Sequence, residues 1–224
     1  MSTKIIVYGF DRSPPVRAVL LTLNALNLEY EQISVDTQKG EQFAQDYLKK
    51  NPTHTIPVLE IDGQYIADSH AIIAFLASKY GKDDTLYPKD LYQRALVDQR
   101  LHYENGGIFH GVVKNHIRPF ALCTLSRDAA EAAVKAIKEV YNVIEAFLIQ
   151  NRYIAGEHLT IADLSFLSTV TVMDLVAPVN AENWPKLTDW LVKLKKLPYY
   201  EQANAKGLKE IEEALQTALE KYKK

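Results

Sequence analysis

The chain has 224 residues, 47% hydrophobic and 24% charged, a mixture that fits one large or two small globular domains and excludes disordered, collagen-like and coiled-coil chains. Its 26 basic residues face 28 acidic ones, for a net charge of -2, which argues against nucleic acid as a partner. A single cysteine, Cys123, excludes an intrachain disulfide, and the longest apolar run, residues 71–77, falls far short of the roughly 18 residues a membrane span needs, so a cytoplasmic protein without a membrane partner is expected.

The N-terminus runs at once into Ile5-Ile6-Val7-Tyr8, which is too short and too strand-like for the core of a signal peptide. Residues 4–10 are β-branched and aromatic and predict a strand. Residues 11–15 form a turn whose Pro14 and Pro15 suit the first turn of a helix. That helix carries a buried stripe of Val16, Val19, Leu20, Leu23 and Leu26. A second strand is predicted over 29–36 and a helix over 42–50, ending before Asn51-Pro52. Residues 55–61 and 64–67 flank Asp62-Gly63, a strong hairpin signal. A helix follows over 69–80, capped by Asp68 or Ser69, with Lys79 in its last turn and Gly81 as its stop. The order βαβαββα combines a parallel crossover with an antiparallel hairpin. It predicts a four-stranded sheet with helices on both faces, the architecture of an α/β thioredoxin-like domain.

The polar, turn-rich stretch from Gly81 to Asp90 reads as a linker. It divides the chain into a first domain at 1–82, a linker at 83–90 and an all-helical domain at 91–224. In the second part, apolar residues recur every three or four positions from Ala130 to Leu148, the signature of a long amphipathic helix. Thr160 and Asp163 form a capping box, with Leu159 and Leu164 at the flanking staple positions; this group predicts a helix start and no chemistry. Pro185 opens a further helix with Leu187, Trp190, Leu191 and Leu194 inward. A charged helix over 208–221 closes the chain.

Standard catalytic devices are missing: there is no Walker loop, no Gly-x-Gly-x-x-Gly, no His-Glu-x-x-His and no Cys-x-x-Cys. His102, His110 and His116 lack the i, i+4 spacing of a helical metal pair, so no metal site is predicted. Cys123 has no local base and reads as a small packing residue. Three features of the first domain remain. Ser13 sits between a strand and a helix N-terminus, where its hydroxyl either caps the helix or donates to an anion. His54-Thr55-Ile56-Pro57 leads into a strand; a cis Pro57 there would leave the backbone of Ile56 free to pair with an extended ligand. Asp68-Ser69-His70 opens a helix and offers both a cap and a carboxylate site. Together they match a short zwitterionic peptide with two carboxylates.

These residues resemble a known family. Ser13-Pro14-Pro15-Val16-Arg17, the run from Asn51 through Pro57, and Asp68-Ser69-His70-Ala71-Ile72 are similar to the glutathione transferases, specifically the insect epsilon class. Leu86-Tyr87-Pro88-Lys89-Asp90, the run from Leu159 through Asp163, and Leu197-Pro198-Tyr199-Tyr200-Glu201 extend the likeness over nearly the whole chain. The resemblance implies the two-domain glutathione transferase fold, a homodimer, and glutathione as co-substrate. It implies that Ser13 hydrogen-bonds the glutathione sulfur and His54 contacts the glycyl carboxylate. Ile56 would pair its backbone with the cysteinyl moiety, with Thr55 and Pro57 beside it in the glutathione site; Asp68 and Ser69 would hold the γ-glutamyl end, and His70 would flank it. Relatives with a Tyr nucleophile partner place it on the first strand, so Tyr8 is the competing hydroxyl.

The electrophile is expected between the domains, against Phe10, Phe109, Val113, Ile117 and Phe120, all of which could equally be helix core. The implied activity is conjugation of hydrophobic electrophiles in detoxification, with dehydrochlorinase or peroxidase side activity. A non-catalytic carrier of hydrophobic ligands and an assembly module of the same fold are the alternatives.

Overall fold

The computed structural model describes residues 4–222. Its first part is a four-stranded sheet in the order β2-β1-β3-β4, with β1 Ile5–Gly9, β2 Glu31–Ser34, β3 Val58–Ile61 and β4 Gln64–Ala67. β1 pairs parallel with β2 and antiparallel with β3, and β3 pairs antiparallel with β4. Side chains alternate across this sheet. Ile5, Val7, Leu59 and Ile61 face the main core. Ile6, Tyr8 and Val58 face a smaller cluster with Val35 and Tyr47. Helices α1 (Pro14–Ala25) and α3 (Ser69–Tyr80) join the main core, while the short α2 (Gln45–Leu48) supplies Tyr47 to the other face.

The predicted mixed sheet and flanking helices are therefore present; β4 forms on the residues expected and the other three strands are shorter than expected. The strand predicted over 55–61 begins only at Val58, because Pro57 has no N–H for the ladder. The helix predicted over 42–50 is split into a 3₁₀ turn, Glu41–Phe43, and α2, because Ala44 between them is extended. The helix over 69–80 forms on the residues expected, with Asp68 as its cap: Oδ1 accepts the N–H groups of His70 and Ala71.

Beyond α3 the regular elements are helical. Leu91–Tyr103 forms α4, whose turns widen into a π-helical segment, Glu104–Ile117, and run on into α5, Arg118–Ala121. Helices α6 (Arg127–Gln150), α7 (Ile161–Val176), α8 (Pro185–Leu194) and α9 (Lys206–Tyr222) follow, with a π-type turn at Glu201–Ala205 leading into α9. At the Thr160–Asp163 capping box, Asp163 Oδ2 accepts from the Thr160 N–H at 2.9 Å and from the Thr160 hydroxyl at 3.0 Å. Asp163 also accepts the N–H of Ile154 and the indole N–H of Trp190, each at 2.9 Å. α7 is buried around most of its circumference and packs directly on α1. The main core accordingly runs without a break from the sheet into the helical part.

Candidate active site

The sheet register assembles the site. Tyr8 of β1 pairs with Val58 of β3, and Val58 pairs with Ala67 of β4. The turn that leaves β1, the loop that enters β3 and the turn that leaves β4 therefore emerge at one end of the sheet. Ser13 lies on the first, the segment from His54 to Pro57 on the second, and Asp68, Ser69 and His70 on the third. Three stretches scattered over 58 positions of sequence are brought to one edge by two antiparallel pairings.

Ser13 is the N-cap of α1, with β-region dihedrals, yet its side chain makes no capping hydrogen bond. A cap oxygen accepts from the second or third helical N–H. Here the second helical residue, Pro15, has no N–H, and the Val16 N–H at the third position is not engaged by the Ser13 side chain. Among the described residues the hydroxyl thus makes no capping bond, and it lies at the positive end of a helix dipole. The competing hydroxyl is occupied: Tyr8 is buried and donates to Glu60 Oε2 at 2.6 Å. Burial first, then that hydrogen bond, pushes its phenol up, so the proton stays on.

The second stretch is braced from beneath. The Thr55 carbonyl accepts from the Tyr47 hydroxyl at 2.6 Å and from Asn51 Nδ2 at 2.9 Å. Outside the strand ladders, no hydrogen bond engages the N–H or C=O of Ile56 among the described residues. His54 is exposed, takes a positive φ of 48° and sets its ring 5.0 Å from that of Phe43. In the third stretch, Asp68 spends Oδ1 on the cap, which leaves Oδ2 for a cation.

His70 turns the other way. Its Nε2 lies 2.8 Å from Ser165 Oγ on α7 and 3.0 Å from Glu104 Oε2 on the π-helical segment. Glu104 is only 4% exposed, and its other oxygen accepts from Thr169 Oγ1. A buried polar cluster thus connects the start of α3 to two elements of the helical part. Glu104, Ser165 and Thr169 carry no local signal in the sequence, because their meeting is a product of tertiary packing alone.

The expected electrophile residues divide. Phe10 and Phe109 are half-buried; Val113, Ile117 and Phe120 are buried in the core. The Phe120 ring stacks at 4.7 Å on Tyr222 of α9 and faces a separate apolar cavity of about 250 Å³ with Val134 and Leu219. A larger cleft of about 520 Å³, beside Asp84, Gln93 and Glu157, contains none of the candidate catalytic, glutathione-binding or electrophile residues; of the sequence motifs it meets only Pro88 and the helix-capping Thr160. Cleft size is therefore a poorer guide here than the polar groups that converge at the sheet edge. Among the described residues, no group of three or more His, Cys, Asp or Glu side chains is placed to hold a metal ion, and no helix is long and apolar enough to cross a membrane.

Comparison with known proteins follows this division. Residues 7–84 match the family description "Glutathione S-transferase, N-terminal domain", and residues 108–198 match "Glutathione S-transferase, C-terminal domain". The chain is 36% identical to Glutathione S-transferase 1 of Manduca sexta over 90% of its own length and 92% of that protein. The chain belongs to the glutathione S-transferase family. Among solved glutathione transferases, an epsilon-class enzyme from the housefly, Musca domestica, superposes with a TM-score of 0.91 at 46% identity, covering 96% of this chain and 98% of that one. A glutathione transferase homolog from Drosophila mojavensis, solved with bound glutathione, gives a TM-score of 0.90 at 44% identity, with coverage of 96% and 98%. The glutathione transferase fold and the insect epsilon-class likeness read from the motifs are both borne out.

Proposed function

We propose that this glutathione transferase conjugates the glutathione thiolate to hydrophobic electrophiles, with Ser13 as the hydroxyl that stabilises the sulfur. The observation that carries the proposal is the unspent Ser13 hydroxyl at the start of α1, beside a Tyr8 phenol already committed to Glu60. An unperturbed thiol with a pKa near ~8.5 is only about 3% ionised at pH 7. Lowering that value by about two units makes roughly three quarters of it thiolate and requires about 2.7 kcal/mol. A hydrogen bond to a charged group supplies about 1.5–3 kcal/mol and a helix N-terminus about 0.3–1 kcal/mol. Ser13 and the end of α1 together are of the right size.

In this reading, residues 1–82 hold glutathione, 83–90 link, and 91–224 shape the electrophile site. His54 meets the glycyl carboxylate. Ile56, between Thr55 and Pro57, offers its unengaged backbone to the cysteinyl unit. Asp68 Oδ2 and Ser69 hold the γ-glutamyl end, and His70 ties that end to Glu104. Phe10 and Phe109 line the electrophile side, while Val113 and Ile117 back it from the core; Phe120 instead packs on Tyr222 at the separate cavity. No observation favours the carrier alternative. A homodimer, a cytoplasmic location and a detoxification role complete the proposal through family membership. Light scattering and cell fractionation test the first two.

The deciding experiment is a glutathione-dependent assay with an aromatic halide on wild type and Ser13→Ala. Ser13→Ala should lose about ten- to a hundredfold in kcat, the equivalent of one hydrogen bond to the developing charge, while keeping its glutathione affinity. A wild-type rate at neutral pH removes Ser13 from the mechanism.

A further inference from the structure

The turn that carries Ser13 is held from behind by the other end of the chain. At the start of α9, Gly207 is buried against the main chain of Asp11, two residues before Ser13. A Cβ on Gly207 would stand 2.1 Å from the Asp11 carbonyl oxygen and 2.6 Å from its carbon. No side chain fits there, so the backbones of the turn and of α9 are in direct contact. Lys206, the neighbouring residue, donates from Nζ to Asp11 Oδ2 at 2.9 Å. The other Asp11 oxygen accepts from Gln32 on β2. The Asp11 carboxylate is thereby clamped between the sheet edge and the last helix. On either side, Arg12 lies 3.9 Å from Glu210 Oε2, and Arg17 reaches the Asn204 carbonyl at 3.4 Å. The contacts of Asp11, Arg12 and Arg17 with residues 204–210 surround Ser13 in sequence and leave its own hydroxyl untouched.

We infer that the Lys206–Gly207 start of α9 is a positioning element for Ser13, pressing on the carbonyl and carboxylate of Asp11 so that the hydroxyl two residues on is aimed at the glutathione sulfur. The inference rests on Ser13 being the thiolate-stabilising hydroxyl. Its physical basis is that a hydrogen bond to a charged sulfur falls off steeply with misalignment, and that a displacement of about 1 Å in a reacting group costs up to a hundredfold in rate. Neither Lys206 nor Gly207 touches substrate; both act through Asp11.

The test is a double-mutant cycle of Gly207→Ala and Ser13→Ala, read by kcat/KM, glutathione KM and the pH–rate profile. Gly207→Ala alone should lower kcat/KM by about tenfold with glutathione KM within about twofold, and should move the acid limb of the profile up by about one pH unit. In the Ser13→Ala background the same substitution should change kcat/KM by less than about twofold, because the group it positions is gone. Equal losses in both backgrounds, or an unmoved acid limb, overturn the inference and leave Ser13 in place. Wild-type activity in Ser13→Ala overturns the reading of Ser13 itself and the inference with it. If Gly207→Ala does not fold, Lys206→Met and Lys206→Arg replace it. The acid limb should move up in Lys206→Met and return in Lys206→Arg, and a wild-type profile in Lys206→Met overturns the inference.

Discussion

At the scale of single residues, the site is decided by which polar atoms are already occupied. Tyr8 and Ser13 both carry a hydroxyl near the end of β1, but only Ser13 has no partner to give up before it meets a ligand. His54 is held out by its positive φ and the neighbouring Phe43 ring, its imidazole making no hydrogen bond among the described residues. Its replacement should therefore cost binding and nothing else. His54→Ala is expected to weaken glutathione by about tenfold, the loss of one hydrogen bond to a carboxylate, with the fold intact. Titration calorimetry showing wild-type affinity would remove His54 from the glycyl end. The residue types at Ser13, His54 and Asp68 were legible in the sequence because each sits beside a local marker: two prolines, an Ile-Pro step, a helix cap. Glu104, Ser165 and Thr169 have no such marker. They converge on His70 only because the π-helical segment and α7 pack against α3.

At the scale of elements, strong local signals survived and weak ones gave way. The hairpin at Asp62-Gly63, the helix over 69–80 and the capping box at Thr160 formed where the sequence placed them, since each is fixed by a turn or cap within a few residues. The helix over 42–50 did not stay whole. Its task is to deliver Tyr47 to the underside of the sheet, where the Tyr47 hydroxyl holds the Thr55 carbonyl, and the extended Ala44 serves that packing. The capping box does more than start a helix. Asp163 is fully buried and its side chain serves Thr160, Ile154 and Trp190 at once. Thr160→Ala should cost about 1 kcal/mol, as an ordinary lost cap. Asp163→Ala should cost about 3 kcal/mol or more, because it strands several buried donors. Urea unfolding of the two variants checks the order; equal losses would reduce Asp163 to a plain cap residue.

At the scale of the whole molecule, Arg17 stitches the first domain to the second from inside the core. It is fully buried on α1 and donates to the Ser168 carbonyl at 2.9 Å and the Asn204 carbonyl at 3.4 Å. Its Nε has no partner among the described residues, and no carboxylate bonds to it. Burial pushes its guanidinium down to about 9, so it remains charged at neutral pH at a cost in desolvation. An apolar side chain of similar length avoids that cost. Arg17→Met should thus stay within about 1 kcal/mol of wild type, whereas Arg17→Ala empties the site and should lose about 3 kcal/mol or more. Urea unfolding measures both, and a large loss in Arg17→Met would make the two carbonyl contacts, rather than volume, the source of Arg17's contribution.

The burial of α1 also sets an order of events during synthesis. From Val16 to Leu23 every residue of this helix is enclosed, one side by the sheet and the other by α7. α7 leaves the ribosome about 150 residues after α1, so for a long stretch of translation the first domain exists with a greasy flank and an unaccompanied Arg17 open to water. A fragment ending at the linker would hold that state permanently. It would carry the loops proposed to bind glutathione but not the surface that keeps them apart from other chains, and it would be expected to clump. The helical part is in this sense the first domain's built-in chaperone.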